Sequence, residues 1–255
     1  MLKHRIIPAL LLKNGGLVKT TKFSNPKYIG DPINAIRIFN TKEVDELMVL
    51  DIDASKLKQQ PNYALIEQFA GECFMPLCYG GGIQTIEQAS KIFKLGVEKV
   101  CLQTSALENL DLVRQLADRF GSQSVVVSVD IKRDWFQRPK LFKSSEGQNS
   151  SVNWLSFIKQ AVDSGAGEIL LNAVDRDGTL QGPDLALIEQ VSAEIAAPLI
   201  AVGGIGSLKD IKEAVNAGAS AVAAGAFFVF HGPHRAVLIT YPQYNELISL
   251  FNTIS

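Results

Sequence analysis

The sequence lacks a membrane-spanning run, a charge imbalance and a secretion signal. A transmembrane helix needs about 20 consecutive apolar residues, and no stretch of this chain reaches that length. The apolar run that follows Arg5 is too short for the apolar region of a signal peptide. The formal net charge is −1 at pH 7, which argues against nucleic acid or a membrane surface as the main partner. We therefore expect a cytoplasmic protein that binds neither nucleic acid nor membrane.

The chain also has few of the residues that build disulfides and metal sites. Its three cysteines lie in or beside apolar strand patterns, at Cys73, Cys78 and Cys101. An odd number of cysteines without metal-ligand spacing indicates reduced, buried thiols. The three histidines form no pattern with a nucleophile or with further ligands; they are His4, His231 and His234. We therefore expect no metal and no cofactor.

What the chain has in quantity is apolar residues and a repeated glycine motif. Hydrophobic residues make up 47% of the 255 positions, which is enough for a large core. Gly80-Gly81-Gly82-Ile83 recurs as Gly203-Gly204-Ile205, and the match extends to the proline before each motif. The period is too long for a solenoid repeat. We interpret the chain as two homologous halves, about residues 1–121 and 122–255.

Eight short apolar runs alternate with stretches of helical periodicity, which predicts a (β/α)8 barrel built from two half-barrels. A doubly wound sheet is the alternative, and the internal symmetry disfavours it. We predict long loops over residues 14–31 and 134–151. The predicted strands are Arg5–Lys13, Glu46–Ile52, Met75–Tyr79, Lys99–Gln103, Ser124–Ile131, Glu168–Ala173, Leu199–Val202 and Ala221–Ala224.

Polar residues that follow the predicted strands mark one end of the barrel as the reactive end, because barrel active sites form at the C-terminal ends of the strands. They include Lys19, Thr104, Asp130 and Asp177. A glycine turn before a helix lets the backbone approach an anion closely. The two symmetric turns therefore predict two phosphate sites, although each turn is also compatible with a tight connection.

Four charged residues begin four of the predicted strands, at the opposite end of the barrel. They are Arg5, Glu46, Lys99 and Glu168, two of each sign. One interpretation is a solvated rim. The other is a salt-bridged cluster over the bottom of the barrel, since buried charges persist when they are paired.

The chain resembles a known family, the cyclase subunit of imidazole glycerol phosphate synthase (HisF), over essentially its whole length. Together the matching stretches are highly specific. They are Arg5-Ile6-Ile7, Glu46-Leu47, Leu50-Asp51-Ile52, Gly80-Gly81-Gly82-Ile83, Lys99-Val100, Phe120-Gly121-Ser122-Gln123, Val125-Val126-Val127, Ala166-Gly167-Glu168-Ile169-Leu170-Leu171 and Asp175-Arg176-Asp177-Gly178-Thr179.

The resemblance implies a synthase subunit that receives ammonia from a glutaminase (HisH-like) partner docked on the bottom of the barrel. It implies that Arg5, Glu46, Lys99 and Glu168 form a gate for ammonia, and that Glu98 lies in the partner interface. It implies that the acceptor is a small phosphorylated ligand at the top of the barrel. The implied substrate and phosphate positions are Lys19, Gly81, Gly82, Thr104, Asp177, Gly203, Gly204, Gly225 and Ala226.

The implied catalytic site departs from the family at one decisive position. The family uses two aspartates as acid and base, and only the second is present, as Asp130. The first falls on Leu11, which cannot transfer a proton. Two family serines are also replaced, by Val202 and Ala226. This pattern resembles a paralogous branch linked to surface-polysaccharide synthesis, in which ammonia goes to a sugar amidotransferase that builds acetamidino sugars.

Three hypotheses follow. The first is an ammonia-conducting synthase subunit that serves a sugar-pathway acceptor, with a sugar amidotransferase as a further partner. The second is a cyclase of histidine biosynthesis in which another carboxylate, such as Asp51, Asp53 or Asp177, replaces the missing acid. The third is a non-catalytic scaffold that activates a glutaminase. The polar residues also have structural alternatives: Asp130 and Asp177 could bond neighbouring loops, and Thr104 could cap a helix.

Overall fold

Eight parallel strands close into a barrel in the computed structural model, which describes residues 4–252. Each strand hydrogen-bonds to the next in chain order, and the last pairs with the first, Arg5 opposite Ala221. The predicted (β/α)8 fold is confirmed. In chain order the barrel strands are β1 Arg5–Lys13, β2 Leu47–Asp51, β3 Leu77–Gly80, β4 Lys99–Leu102, β5 Val125–Arg133, β6 Glu168–Ala173, β7 Leu199–Val202 and β8 Ala221–Ala224.

One longer helix follows each strand. The first turns of the first seven are capped by short polar side chains that accept hydrogen bonds from backbone N–H groups. Examples are Asp31 before the first helix and Thr85, which forms a capping box with Gln88. The helices are α1 Pro32–Thr41, α2 Tyr63–Glu72, α3 Ile86–Lys94, α4 Leu110–Phe120, α5 Trp154–Asp163, α6 Leu185–Ser192, α7 Leu208–Asn216 and α8 Tyr244–Asn252.

Side chains alternate along each strand between the helices and the barrel interior. Ile6 and Leu10 of β1 pack in the large cluster between strands and helices, whereas Ile7 and Ala9 belong to a smaller cluster. That smaller cluster fills the barrel interior, and we call it the lumen cluster. Its buried members are Ile7, Ala9, Met48, Cys78, Cys101, Val126, Leu170, Ile200, Ala221 and Ala223.

The prediction that residues 14–31 form a long loop is wrong. Gly16–Thr21 and Ser24–Gly30 form an antiparallel hairpin whose first strand continues the sheet from β1, with Leu11 opposite Val18. We call it the first hairpin. Its outer strand is largely exposed and polar, so it shows no apolar alternation. The hairpin forms because its first strand pairs in a defined register with the end of β1. A hydropathy pattern contains no information about the register between two strands.

The prediction of a long loop over residues 134–151 is also wrong in part. Pro139–Lys143 pairs antiparallel with the end of β5, and Gln148–Asn149 pairs with Pro139–Lys143 in turn. Short elements were likewise missed at the helices Thr104–Glu108 and Ala226–Val229. Cys78 and Cys101 are buried and Cys73 is partly buried, all three as free thiols. No helix within residues 4–252 is long and apolar enough to cross a bilayer.

Candidate functional site

The four charged residues at the bottom of the barrel meet in one closed network. Arg5 donates to both Glu46 and Glu168, and its Nη2 lies 2.8 Å from Glu168 Oε1. Lys99 Nζ lies 2.8 Å from Glu46 Oε2 and 3.2 Å from Glu168 Oε1. Each cation therefore contacts both carboxylates. We call this arrangement the ion-pair ring.

The two carboxylates of the ring are more buried than its two cations. The side chain of Glu46 is 2% exposed and that of Glu168 is 11% exposed. Burial alone would lower the pKa of Arg5, but the carboxylates of Glu168 and Glu46 outweigh it and raise that pKa. One oxygen of Glu46, Oε1, is buried without a hydrogen-bond partner. Removing one member of such a buried network would leave the others uncompensated; the role of these four residues as a gate stays a prediction.

Glu98 lies beside the ring at the same end of the barrel. It precedes Lys99 directly and is exposed, and its Oε2 accepts a hydrogen bond from Leu77 N at 2.7 Å. The carboxylate is therefore fixed at the start of β3 while remaining accessible. Its assignment to a partner interface stays a prediction.

The lumen cluster connects the ring to the other end of the barrel. On β6, Glu168, Leu170 and Asn172 occupy successive inward positions, so charge is followed by apolar surface and then by an amide. On β5 the corresponding positions are Val126, Ser128 and Asp130. The interior thus changes from apolar to polar just below the C-terminal ends of the strands.

A cavity of about 300 Å³ opens at those C-terminal ends. Leu11 is in its wall. The structure brings most of the sequence-predicted residues together there, namely Lys19, Gly81, Gly82, Thr104, Asp130, Asp177, Gly225 and Ala226.

Gly203 and Gly204 do not line this cavity, unlike the other predicted positions. Both have positive φ, and a Cβ on Gly204 would lie 2.1 Å from the carbonyl oxygen of Gly182. A Cβ on Gly203 would lie 2.7 Å from that of Ala173. Close packing against the last residue of β6 and against the loop after it therefore explains both glycines, and their phosphate role stays a prediction.

Asp130 is the most strongly perturbed carboxyl group of the cavity. Burial raises its pKa to about 7, helped by the charge of Asp177 and opposed by hydrogen bonds with Ser144, Asn172 and Ser128. A carboxyl group with a pKa near neutrality can both take up and release a proton. Asp130, which lies in β5 three residues before its last residue, is thus suited to proton transfer.

Lys19 enters the cavity from the first hairpin. Its side chain is buried and donates to the carbonyl oxygen of Ala9, and its ammonium occupies the space that a side chain at Gly225 would need. Burial lowers the pKa of Lys19 to about 8, against the opposing effect of Asp177. Thr20 Oγ1 in turn donates to Asp177 Oδ2 at 2.9 Å, which fastens the hairpin over the cavity. The cavity therefore holds two groups that titrate near pH 7 to 8.

The remaining predicted residue, Thr104, is the first residue of a short helix. Gln103 occupies the N-cap position of that helix without a side-chain capping hydrogen bond, and the Thr104 hydroxyl donates to Gln103 Oε1 at 3.1 Å. Gln103 also donates to Phe142 O, so this corner of the cavity is tied to the strand Pro139–Lys143. Thr104 is therefore held at the cavity wall by its neighbour.

Sequence reasoning missed Asn172 and Ser128. Asn172 stands opposite Asp130 in the register of β5 and β6, and its Oδ1 is buried without a hydrogen-bond partner. Ser128 Oγ lies 3.5 Å from Asp130 Oδ1. Ser128 lies two residues after Val126, and Asn172 lies four residues after Glu168, so both point inward. This alternation along the strands is the signal that could have found them.

The buried carboxyl group of Asp130 predicts that the free energy of unfolding falls as the pH rises. Its folded pKa of about 7 lies above the ordinary 3.8, so ionisation is harder in the folded state. Stability is lost as pH rises from about 4 to 7, by roughly 1.4 kcal/mol per pH unit. Asp130→Asn should therefore be more stable than wild type at pH 8 by up to about 4 kcal/mol, with a smaller gain at pH 5.

Urea unfolding at pH 5 and pH 8 measures this difference. Asp118→Asn, at an exposed position of α4, is the control and should show no such pH dependence. An Asp130→Asn gain that is the same at both pH values would contradict the raised pKa.

Barrel, ring and cavity define the chain as a (β/α)8-barrel protein with a polar site at the C-terminal end of its strands. A family model described as "Histidine biosynthesis protein" matches residues 5–233. The subunit hisF2 of Pseudomonas aeruginosa is 55% identical over 97% of this chain and 99% of its own length. A HisF protein of Leptospira interrogans is 48% identical over 98% of this chain and all of its own. Both carry provisional names as imidazole glycerol phosphate synthase subunits.

A relative without that provisional label is more distant. The imidazole glycerol phosphate synthase subunit HisF of Streptomyces coelicolor is 38% identical over 89% of this chain and 90% of its own length. The chain belongs to the HisF family of imidazole glycerol phosphate synthase subunits.

Proposed function

We propose that this chain is the ammonia-receiving subunit of a two-part synthase. A glutaminase docks on the bottom of the barrel, ammonia passes the ion-pair ring and the lumen cluster, and an acceptor in the upper cavity takes it. The observation that carries the proposal is the alignment of ring, apolar interior and polar cavity along one axis. Neutral ammonia can cross an apolar interior, whereas a buried unpaired ammonium ion is strongly disfavoured there.

The acceptor differs from that of an ordinary cyclase, on this proposal, because Leu11 replaces one of the two proton-transfer groups. Loss of one such group typically costs 10² to 10⁴ in rate. We propose an acceptor in amino- or acetamidino-sugar synthesis for surface polysaccharide, reached directly or through a sugar amidotransferase. The retained Asp130 and Lys19 would then handle protons and a phosphorylated ligand. Gly81, Gly82 and Gly225 are the proposed backbone contacts for its phosphate groups.

Glutamine hydrolysis tests the delivery path. Adding the purified chain to its cognate glutaminase should stimulate glutamine hydrolysis by about tenfold or more. The Lys99→Met variant of this chain should bind the same glutaminase but stimulate its hydrolysis of glutamine less, because Lys99 bridges both carboxylates of the ring. Absence of both complex and stimulation would refute the proposal.

A second candidate is the histidine-pathway cyclase itself. It is favoured by the presence of two groups in one cavity, Asp130 and Lys19, whose pKa values lie near 7 and 8. Ammonia-dependent turnover of the histidine-pathway ribonucleotide decides between the two. Wild-type turnover like that of an ordinary cyclase would favour this candidate. A chain that stimulates the glutaminase but passes ammonia to no acceptor would instead be a scaffold.

A further inference from the structure

A cavity of about 300 Å³ lies on the outer side of β5 and β6, beside the upper cavity. Ile131 and Arg133 of β5 line it, whereas Asp130 of the same strand lines the upper cavity, because side chains alternate along a strand. Within residues 4–252 the two cavities have no lining residue in common. We call it the flank cavity. Its polar lining residues are Lys22, Arg133, Gln137, Asp175, Arg176 and Asp184.

Arg133 forms a fixed wall of the flank cavity, because its donors are already engaged. Its Nη2 lies 2.7 Å from Asp184 Oδ2, and its Nη1 donates to Gln137 O at 2.9 Å. Its backbone N donates to Asp175 Oδ2 at 2.7 Å. Asp184 also accepts from Leu187 N at 3.2 Å and thereby caps α6. Arg133 and Asp184 therefore neutralise each other, and neither charge is left for a ligand.

Lys22 and Arg176 are the two cations of the flank cavity that lack an ion pair within residues 4–252. The Lys22 ammonium also makes no hydrogen bond in that part of the chain. Arg176 donates from Nη1 to Gln181 O at 3.3 Å. An arginine side chain has five N–H donors, so most of those of Arg176 are available. Like charges around one cavity repel each other, and a bound anion relieves that repulsion.

Backbone contacts place both of these cations at the cavity. Lys22 N donates to Asp177 O at 2.9 Å, and Thr20 Oγ1 donates to the side chain of the same aspartate. The tip of the first hairpin is thus held against the loop after β6. Gly204 leaves room for Arg176, since a Cβ on Gly204 would lie 3.1 Å from the Arg176 Cβ. The two cations are therefore carried by positioned backbone, which lowers the entropy cost of binding a ligand.

We propose that the flank cavity binds a small molecule that carries an anionic oxygen group beside a hydrogen-bond donor. Lys22 and Arg176 would hold the anionic group, since both side chains form charge-assisted hydrogen bonds with carboxylate and phosphate oxygens. Asp175 Oδ1, which makes no hydrogen bond within the described residues, would accept from the donor. An α-amino acid and a sugar phosphate both carry such a pair of groups. This inference goes beyond ammonia delivery, because the flank cavity is separate from the proposed path.

Titration of the full chain, without a glutaminase, tests the site with L-glutamate, glucose 6-phosphate and sulfate as probes. Tryptophan fluorescence reports binding, because Trp135 is exposed and lies two residues before Gln137 of the flank cavity. At least one of the two organic probes should bind saturably with a Kd below about 10 mM. Sulfate should bind about tenfold more weakly than that probe, because it has no donor for Asp175.

Variants of the lining residues locate the bound molecule. Lys22→Met and Arg176→Gln should each raise the Kd of the organic probe by about tenfold or more. Asp175→Asn should weaken the binding of that probe but not of sulfate, since only the organic probe donates to Asp175. Lys42→Met is the matched control, because Lys42 is an exposed lysine after α1 and does not line the flank cavity. Its Kd should equal that of wild type.

Four results would refute this inference. The first is that neither organic probe reaches that affinity for wild type. The second is that Lys19→Met, in the upper cavity, weakens binding while Lys22→Met and Arg176→Gln do not. The third is an equal loss in Lys42→Met and Lys22→Met, which would show a general attraction of anions. The fourth is sulfate binding as tight as that of the organic probes, which would mark an adventitious ion only. The delivery proposal is independent of all four, because the titration contains no glutaminase.

Discussion

Leu11→Asp should raise ammonia-dependent turnover of the histidine-pathway ribonucleotide by about 10²-fold or more over wild type. Leu11 is in the wall of the upper cavity on β1, and Asp130 is in the wall on β5. In an eight-stranded barrel these strands face each other across the axis. An acid at position 11 would therefore complete a pair of proton-transfer groups on opposite sides of a bound ligand.

Two variants make this result specific to proton transfer. Leu11→Asn has nearly the same shape as Leu11→Asp and adds polarity without an acid, so it should show no gain. Adding Asp130→Asn to Leu11→Asp should return turnover to the wild-type level, since the pair acts as a unit. Equal gains from Leu11→Asp and Leu11→Asn would show that cavity polarity limits the reaction. No gain from either would show that other replaced positions, such as Val202 and Ala226, prevent ligand binding.

The barrel could be predicted from the sequence because its strands are buried on both faces. Strands β1, β6, β7 and β8 have the predicted bounds, since each is an apolar run that begins or ends at a polar residue or a turn. The first hairpin could not be predicted, because its outer strand is exposed and its pairing depends on the register with β1. Exposed strands carry no hydrophobic signal for a pattern to detect.

The candidate site could also be predicted only in part from the sequence. The position of Asp130 near the C-terminal end of a predicted barrel strand indicates the reactive end without further information. The burial of Lys19 could not be predicted from the sequence. It depends on the first hairpin folding over the cavity and on Gly225 leaving room for the ammonium group. The meeting of four charges in the ion-pair ring follows from barrel closure, since all four begin or precede barrel strands. Their hydrogen-bond pattern had to come from the structure.

Glu46→Leu should destabilise the protein by about 3 kcal/mol, because removing one partner of a buried network leaves the others uncompensated. Glu46 accepts from both Arg5 and Lys99, and it is the most buried member of the ring. The side chains of Arg5 and Lys99 are 30% and 16% exposed, so water can relieve part of the penalty. The measurement is the free energy of unfolding in urea, with the ion pair of Arg37 and Glu72 as reference.

The reference pair lies on the outer surface, where Glu72→Leu should leave the unfolding free energy unchanged. Adding Lys99→Met to Glu46→Leu should recover part of the loss, since one of the two stranded cations is removed with it. A well-packed apolar replacement of a buried ion pair is often neutral or stabilising, so stability alone does not explain why charges occupy this end of the barrel. If Glu46→Leu and Glu72→Leu behaved alike, the ring would be hydrated in solution and could not act as a barrier to ions. If only Glu46→Leu is costly, the ring is a closed and buried network, and under the proposed function ammonia can pass it only where the network opens.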